Sequence, residues 1–216
     1  MDLTGKRILV AGATGALGGA LSRELRDAGA DVVTAGRRDC DVTLDLADPA
    51  SPAAAAGAAG RIDGLLIAAG NVAFGAAEET PDEITRALFD VNVLGPIALI
   101  RAALAQPEPP AAIAAISAVV ADLPTARMAA YSAAKAALSA YLTALRHERR
   151  RARTVVLDIR PPHLDTGFET RAIAGEPPRL PEPVAAAELV PRVVAALRDE
   201  RRAIRWDLEN RRFEAA

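Results

Sequence analysis

The chain has 216 residues, a length that fits one domain of ordinary to large size with room for a three-layer core. Hydrophobic residues make up 51% and aromatics only 3%, so the core must be built from Ala, Val, Leu and Ile, and a formal net charge of −2 gives no global pull toward nucleic acid or an anionic membrane. Cys40 is the only cysteine, which excludes an intramolecular disulfide and a cysteine-held zinc; the start reads as lacking a secretory leader, and no apolar segment is expected to reach the ~18 residues of a membrane span, so a cytoplasmic protein with no metal centre is expected.

Lys6–Ala11 is a short apolar run bounded by Gly5 and Gly12 and reads as a buried strand. It runs straight into Gly12-Ala13-Thr14-Gly15-Ala16-Leu17-Gly18-Gly19, after which Leu17, Leu21 and Leu25 recur on one helical face until Ala28-Gly29. Strand, glycine turn and helix together are the context of a dinucleotide-binding turn. There the glycines let the backbone approach a pyrophosphate whose charge sits at the helix N-terminus. A turn that merely lets strand and helix pack closely is the competing meaning of this stretch alone.

Asp31–Gly36 is the second strand, and Arg37 and Arg38 follow it. In dinucleotide folds an acid at this place accepts from the ribose 2′-hydroxyl of NAD, whereas arginine accommodates the 2′-phosphate of NADP. The acid is absent here, so NADP is the expected cofactor, with NAD possible; two solvated turn charges are the bland alternative. Val42, Leu44 and Leu46 alternate with Asp41, Thr43 and Asp45 as a short third strand, Ser51–Ala59 reads as a crossover helix, and Asp63–Gly70 is a fourth strand that closes on a glycine.

Thr80-Pro81-Asp82-Glu83 carries the signals of a helix start, with Thr80 as the cap. The helix is expected to run toward Gln106 with Asn92 on its side and a bend at Gly95-Pro96. Ile113–Ser117 reads as a fifth strand and Thr125–Arg150 as a long helix ending in arginines that suit its dipole. Val155–Ile159 is a sixth strand, residues 167–183 are irregular and rich in Pro and Glu, Val184–Arg198 is a last helix, and Ala203–Trp206 a final strand.

In the long helix, Tyr131 and Lys135 stand four residues apart and therefore on one face. A cation a few ångströms from a phenol favours phenolate and lowers its pKa from ~10, which suits it to trade protons with a carbonyl or alcohol. On spacing alone, an ordinary helix with one aromatic and one surface lysine is the commoner meaning; the rest of the chain supplies the weight. His163, at the mouth of the irregular segment, reads as a surface loop residue or as a group aimed at a substrate.

Strands alternating with helices throughout imply a doubly wound α/β domain of Rossmann type over residues 1–216, with about seven parallel strands and helices on both faces. From Gly5 to about Trp206 the chain resembles the short-chain dehydrogenase/reductase superfamily. The landmarks are Tyr131-x-x-x-Lys135, Asn92 in Val91-Asn92-Val93-Leu94-Gly95, Asp63 before the fourth strand, and Pro161 and Thr166 after the sixth.

The resemblance implies an NADP(H)-dependent oxidoreductase acting on a small carbonyl/alcohol pair, with the loop 167–183 lining the substrate pocket. Tyr131 would be the general acid/base, Lys135 would tune it and hold the nicotinamide ribose, and Asn92 would anchor a proton-relaying water. Cofactor contacts are implied for Gly12, Thr14, Gly15, Leu17, Gly18, Arg37, Arg38, Asp45, Leu46, Ala69, Gly70, Asn92, Tyr131, Lys135, Pro161 and Thr166. It also implies a homodimer or homotetramer formed through the two long helices.

The chain departs from the family pattern at several points. Ala16 replaces the middle glycine of the turn, Ile67-Ala68-Ala69-Gly70 replaces Asn-Asn-Ala-Gly, and Pro162 replaces a glycine. The position of the family's catalytic serine is Ala118, with Ser117 beside it; adjacent strand residues face opposite sides, so Ser117 serves only if a bulge turns it toward the site. The missing hydroxyl keeps two other readings open: an NADP-binding sensor or partner protein with little turnover, and an isomerase or dehydratase on the same scaffold.

Overall fold

The apolar runs become the strands of one sheet. In the computed structural model, which describes residues 1–216, these are β1 (Arg7–Ala11), β2 (Asp31–Gly36), β3 (Val42–Thr43), β4 (Gly64–Ile67), β5 (Ala112–Ile116), β6 (Val155–Arg160), β7 (Ala203–Asp207) and β8 (Arg212–Ala215). Their order across the sheet is β3-β2-β1-β4-β5-β6-β7-β8. The first seven run parallel, and the helices α1 (Ala16–Asp27), α2 (Ser51–Ala59), α3 (Asp82–Phe89), α4 (Gly95–Leu104), α5 (Ala129–Glu148) and α6 (Ala186–Arg198) make the connections.

Period-two alternation sorts each strand between two cores. Ile8 and Val10 of β1 pack with Leu21 and Leu25 of α1 and with Leu189, Val193 and Leu197 of α6. Leu9 and Ala11 face the other way, with Ala55 and Ala59 of α2, Leu99 and Ala103 of α4, and Leu138, Leu142 and Leu145 of α5. The alanines of α2, α4 and β5 let backbones come close where a chain poor in aromatics has little bulk to fill space. A third, smaller cluster of Val72, Phe74, Leu88, Ala118, Val120, Met128 and Tyr131 sits beyond the carboxyl ends of the strands. The order reverses between β1 and β4, the switch point at which ligands of such sheets bind.

To the about seven strands expected the sheet adds β8, which returns antiparallel to β7, with Ile204 opposite Ala215 and Trp206 opposite Phe213. Several local expectations are corrected. The third strand is cut to two residues because after Thr43 the chain turns into α2, with Asp45 N–H donating to Ser51 Oγ at 2.9 Å. Thr80 does not cap α3: its hydroxyl donates back to the Ala76 carbonyl at 2.9 Å, and Pro81 takes the cap position. The α5 helix begins at Ala129, after a turn at Thr125–Met128 that includes Arg127 at φ +64°.

The expected helix toward Gln106 is continuous but not uniform, since Asp90–Leu94 is a π turn between α3 and α4. The expected limit on apolar length is also corrected. Asp82–Leu104 is 23 residues, long and apolar enough to cross a membrane by length and composition, yet 44% of its most apolar window is buried inside the fold.

Candidate functional site

The glycine turn is built for close backbone approach. Gly12 takes φ +85°, a conformation that L side chains rarely adopt, and a Cβ there would lie 2.6 Å from the Ala69 amide nitrogen. A Cβ on Gly18 would overlap the Gly12 carbonyl oxygen. Gly15 caps α1 with no side-chain hydrogen bond and no acid in the first turn, so the helix's leading N–H groups are free to meet an anion. Thr14 is exposed and Leu17 half-buried on the same turn, and Gly36 brings the end of β2 beside it, with a Cβ there 3.6 Å from Thr14 Oγ1. Arg37 and Arg38 follow, both exposed and in no ion pair. The cradle therefore fits a pyrophosphate at the turn and a further phosphate beside the arginines.

Asp45 caps its own turn, its Oδ1 accepting from Ala47 N–H at 3.0 Å, and the Leu46 backbone lies so close to α4 that only glycine fits at position 95. Ala69 and Gly70 form the floor between the turn and the polar residues of α5. A Cβ on Gly70 would lie 2.8 Å from Asn92 Oδ1 and 3.4 Å from Lys135 Nζ, so both groups converge on one glycine.

Asn92 is fully buried at the centre of the π turn, where the wider i→i+5 spacing re-aims a side chain that a regular helix would carry elsewhere. Its amide donates to Asn71 Oδ1 at 2.6 Å, to the Asn71 carbonyl at 3.0 Å and to the Leu88 carbonyl at 2.9 Å, while Asn71 N–H donates to Asn92 Oδ1 at 3.3 Å. Asn71 thus clamps Asn92. Sequence reasoning missed it, although an amide directly after Gly70, where two family amides are lost, was a readable signal.

Lys135 is 3% exposed and donates to the Ile116 carbonyl at 3.0 Å, with Nζ 5.7 Å from the centroid of the Tyr131 ring. Burial pushes its pKa down to about 8, against the pull of the Asp158 carboxylate toward the ammonium. Tyr131 is 7% exposed, and burial raises its phenol above the ordinary value. This corrects the expected direction: with Lys135 turned to Ile116, desolvation of the phenolate dominates and the phenol is held neutral.

Ser117 and Ala118 point to different surroundings. The Ser117 hydroxyl donates to Asp158 Oδ1 at 2.5 Å, whereas Ala118 belongs to the apolar cluster of Tyr131. Ser117 and Val119 N–H groups donate to the Ile159 and Pro161 carbonyls, each at 2.8 Å, so β5 continues into the site without a bulge. Asp158 is fully buried and also accepts from Ser139 at 2.7 Å and Arg160 Nε at 2.7 Å, and Arg160 reaches Asp122 at 2.5 Å. An acid inside the apolar run Val155–Ile159 was the sequence signal for this network, and it was passed over.

Pro161 is buried, while Thr166 is half-buried and donates its N–H to the Leu164 carbonyl. His163 is half-buried. Its Nδ1 lies 2.9 Å from the Pro181 carbonyl and its Nε2 3.3 Å from Glu169 Oε2, both in the loop 167–183.

Comparison with known proteins follows the same lines. The profile of a family described as short chain dehydrogenase matches residues 6–176. The chain is 30% identical over 198 residues to dehydrogenase/reductase SDR family member 7B of Rattus norvegicus, covering 78% of this chain and 61% of that protein, so it spans less than two thirds of that relative's length. It is 32% identical over 196 residues to an uncharacterized oxidoreductase of Methylorubrum extorquens, covering 80% of this chain and 79% of that one. A short chain dehydrogenase of Burkholderia cenocepacia solved in complex with NADP superposes with a TM-score of 0.80 at 29% identity, over 92% of this chain and 86% of that one.

Proposed function

The chain belongs to the short-chain dehydrogenase/reductase family, and from that premise we propose that it is an NADP(H)-dependent oxidoreductase interconverting a carbonyl and an alcohol, with Tyr131 as general acid/base. The observation that carries this reading is the convergence on Gly70 of Asn92 Oδ1 from the π turn and Lys135 Nζ from α5, the helix that also presents Tyr131. The glycine cradle and the unpaired Arg37 and Arg38 support NADP(H) as the preferred cofactor, as does the NADP bound to the Burkholderia relative. When bound, the cofactor supplies the hydride.

The rest falls to the chain's own residues. Tyr131, held neutral by burial, donates its phenolic proton to the substrate oxygen as negative charge develops there. Oxidation of an alcohol needs the phenolate, and therefore needs the Lys135 charge to bear on the phenol instead of on the Ile116 carbonyl. Asn92, locked by Asn71 and Leu88, is a fixed dipole beside Lys135.

Ala118, in the apolar cluster of Tyr131 where a hydroxyl would be needed, favours one alternative, a nucleotide-binding protein with little turnover. NADPH oxidation against aldehydes, ketones and quinones, beside NADPH binding followed by its fluorescence, separates the two. Turnover on any carbonyl sustains the oxidoreductase; tight binding with no turnover on the panel replaces it with the alternative.

A further inference from the structure

We propose that the substrate is a small, uncharged carbonyl compound with apolar groups on both sides of the C=O, and that it enters beneath a strap formed by residues 172–175; this rests on the oxidoreductase reading of Tyr131. The phenol lies in a cluster whose other buried members, among them Val72, Phe74, Leu88, Ala118, Val120 and Met128, carry no charge. Of the charged groups nearby, Arg171 donates to the Thr166 carbonyl, Glu169 Oε2 lies 3.3 Å from His163 Nε2, and Arg127 is exposed to solvent, outside the buried cluster. Lys135 donates to the Ile116 carbonyl, and the Asn92 amide is spent on Asn71 and Leu88. A carboxylate or phosphate on the substrate would be desolvated among these apolar side chains, and a polyhydroxylated chain would lose its water for few partners.

The strap closes this cluster from solvent. Ile173 N–H donates to the Val72 carbonyl at 2.8 Å, and Phe74 N–H donates to the Ala174 carbonyl at 2.9 Å. Ala172 and Ala174 pack on the cluster, with Phe168 and Leu180 beside them. Gly175 takes φ +69° against the Phe74 carbonyl, so closely that any Cβ would overlap it. Two backbone bonds and one glycine therefore hold the cover. It can lift without unfolding the sheet, and on closing it excludes water from the phenol and the substrate oxygen.

The test compares matched carbonyls in steady-state NADPH oxidation: acetophenone against 4-acetylbenzoate, and 2-heptanone against 5-oxohexanoate. At least a hundredfold higher kcat/KM for each uncharged member is expected; equal or inverted values overturn the proposal. If no pair turns over, saturation-transfer NMR with NADP+ present decides the pocket chemistry, and the redox reading is left to the wider carbonyl panel. Transfer to acetophenone and not to 4-acetylbenzoate upholds an apolar pocket; transfer to the carboxylate, or to neither, overturns it. Gly175→Val, or Gly175→Ala should the larger residue not fold, should raise KM for acetophenone at least tenfold with NADPH affinity unchanged. An unchanged KM overturns the strap.

Discussion

Ser117 donates its hydroxyl to Asp158 at 2.5 Å, across β5 and β6, and Ser139 of α5 donates to the same carboxylate at 2.7 Å. Ser117 is thereby committed to a buried acid, and the residue that shares a cluster with Tyr131 is Ala118.

Ser117→Ala should therefore act on stability. It removes one donor from a fully buried carboxylate, a loss of about 1–3 kcal/mol, and should leave turnover little changed. Ala118→Ser should do the reverse, raising ketone turnover by up to ~10²-fold if a hydroxyl beside Tyr131 stabilises the developing oxyanion. Chemical denaturation and steady-state rates on both variants check the pair; a large rate loss in Ser117→Ala would place the catalytic hydroxyl there.

Tyr131→Phe keeps the ring and removes the proton. Carbonyl reduction should fall by at least ~10²-fold while NADPH affinity stays within a factor of about two. Retained turnover would assign the acid to another group.

Arg37→Ala should erase the preference for the phosphorylated cofactor. One charge-assisted contact to a 2′-phosphate accounts for at least a tenfold tighter binding of NADPH than NADH, about 1.4 kcal/mol. Fluorescence titration of both cofactors tests this, and equal affinities in the parent would refute it.

Lys135 carries a pH signature of definite sign. Its folded pKa of about 8 lies below the ordinary 10.5, so between those values the unfolded chain binds a proton that the folded one does not. Its contribution to stability is therefore unfavourable below pH ~8 and is relieved as pH rises toward ~10.5. Lys135→Met should be more stable than the parent at pH 7, with the difference shrinking toward pH 10.5. In the parent, NADPH affinity should weaken above pH ~8 as the ammonium is lost. A stability difference independent of pH would show that Lys135 keeps an ordinary pKa.

Asn71→Ala should remove the Asn92 bond to Asn71 Oδ1, leaving the one to the backbone carbonyl, and lower kcat about tenfold or more with little change in NADPH binding, since the lost contact lies beside Gly70 and away from the Gly12 turn. Turnover equal to the parent would make the clamp dispensable.

The residue pattern by itself determined the scaffold and the identity of its landmarks. Short apolar runs closed by Gly12 and Gly70 read as buried strands by their length and glycine boundaries, and helices between them favour parallel pairing, because run length and helical period are local properties of the chain. Tyr131 and Lys135 share a face for the same local reason. What lay outside that reach depends on partners far away in sequence. The direction of the Tyr131 shift follows from what buries it, the seat of Ser117 from a carboxylate on a neighbouring strand, and the aim of Asn92 from a π turn and from Asn71. The cover over the site follows from residues 173–174 bonding back to Val72 and Phe74. Desolvation and hydrogen-bond choice are set by the groups that tertiary packing brings together, so no spacing within one element could decide them.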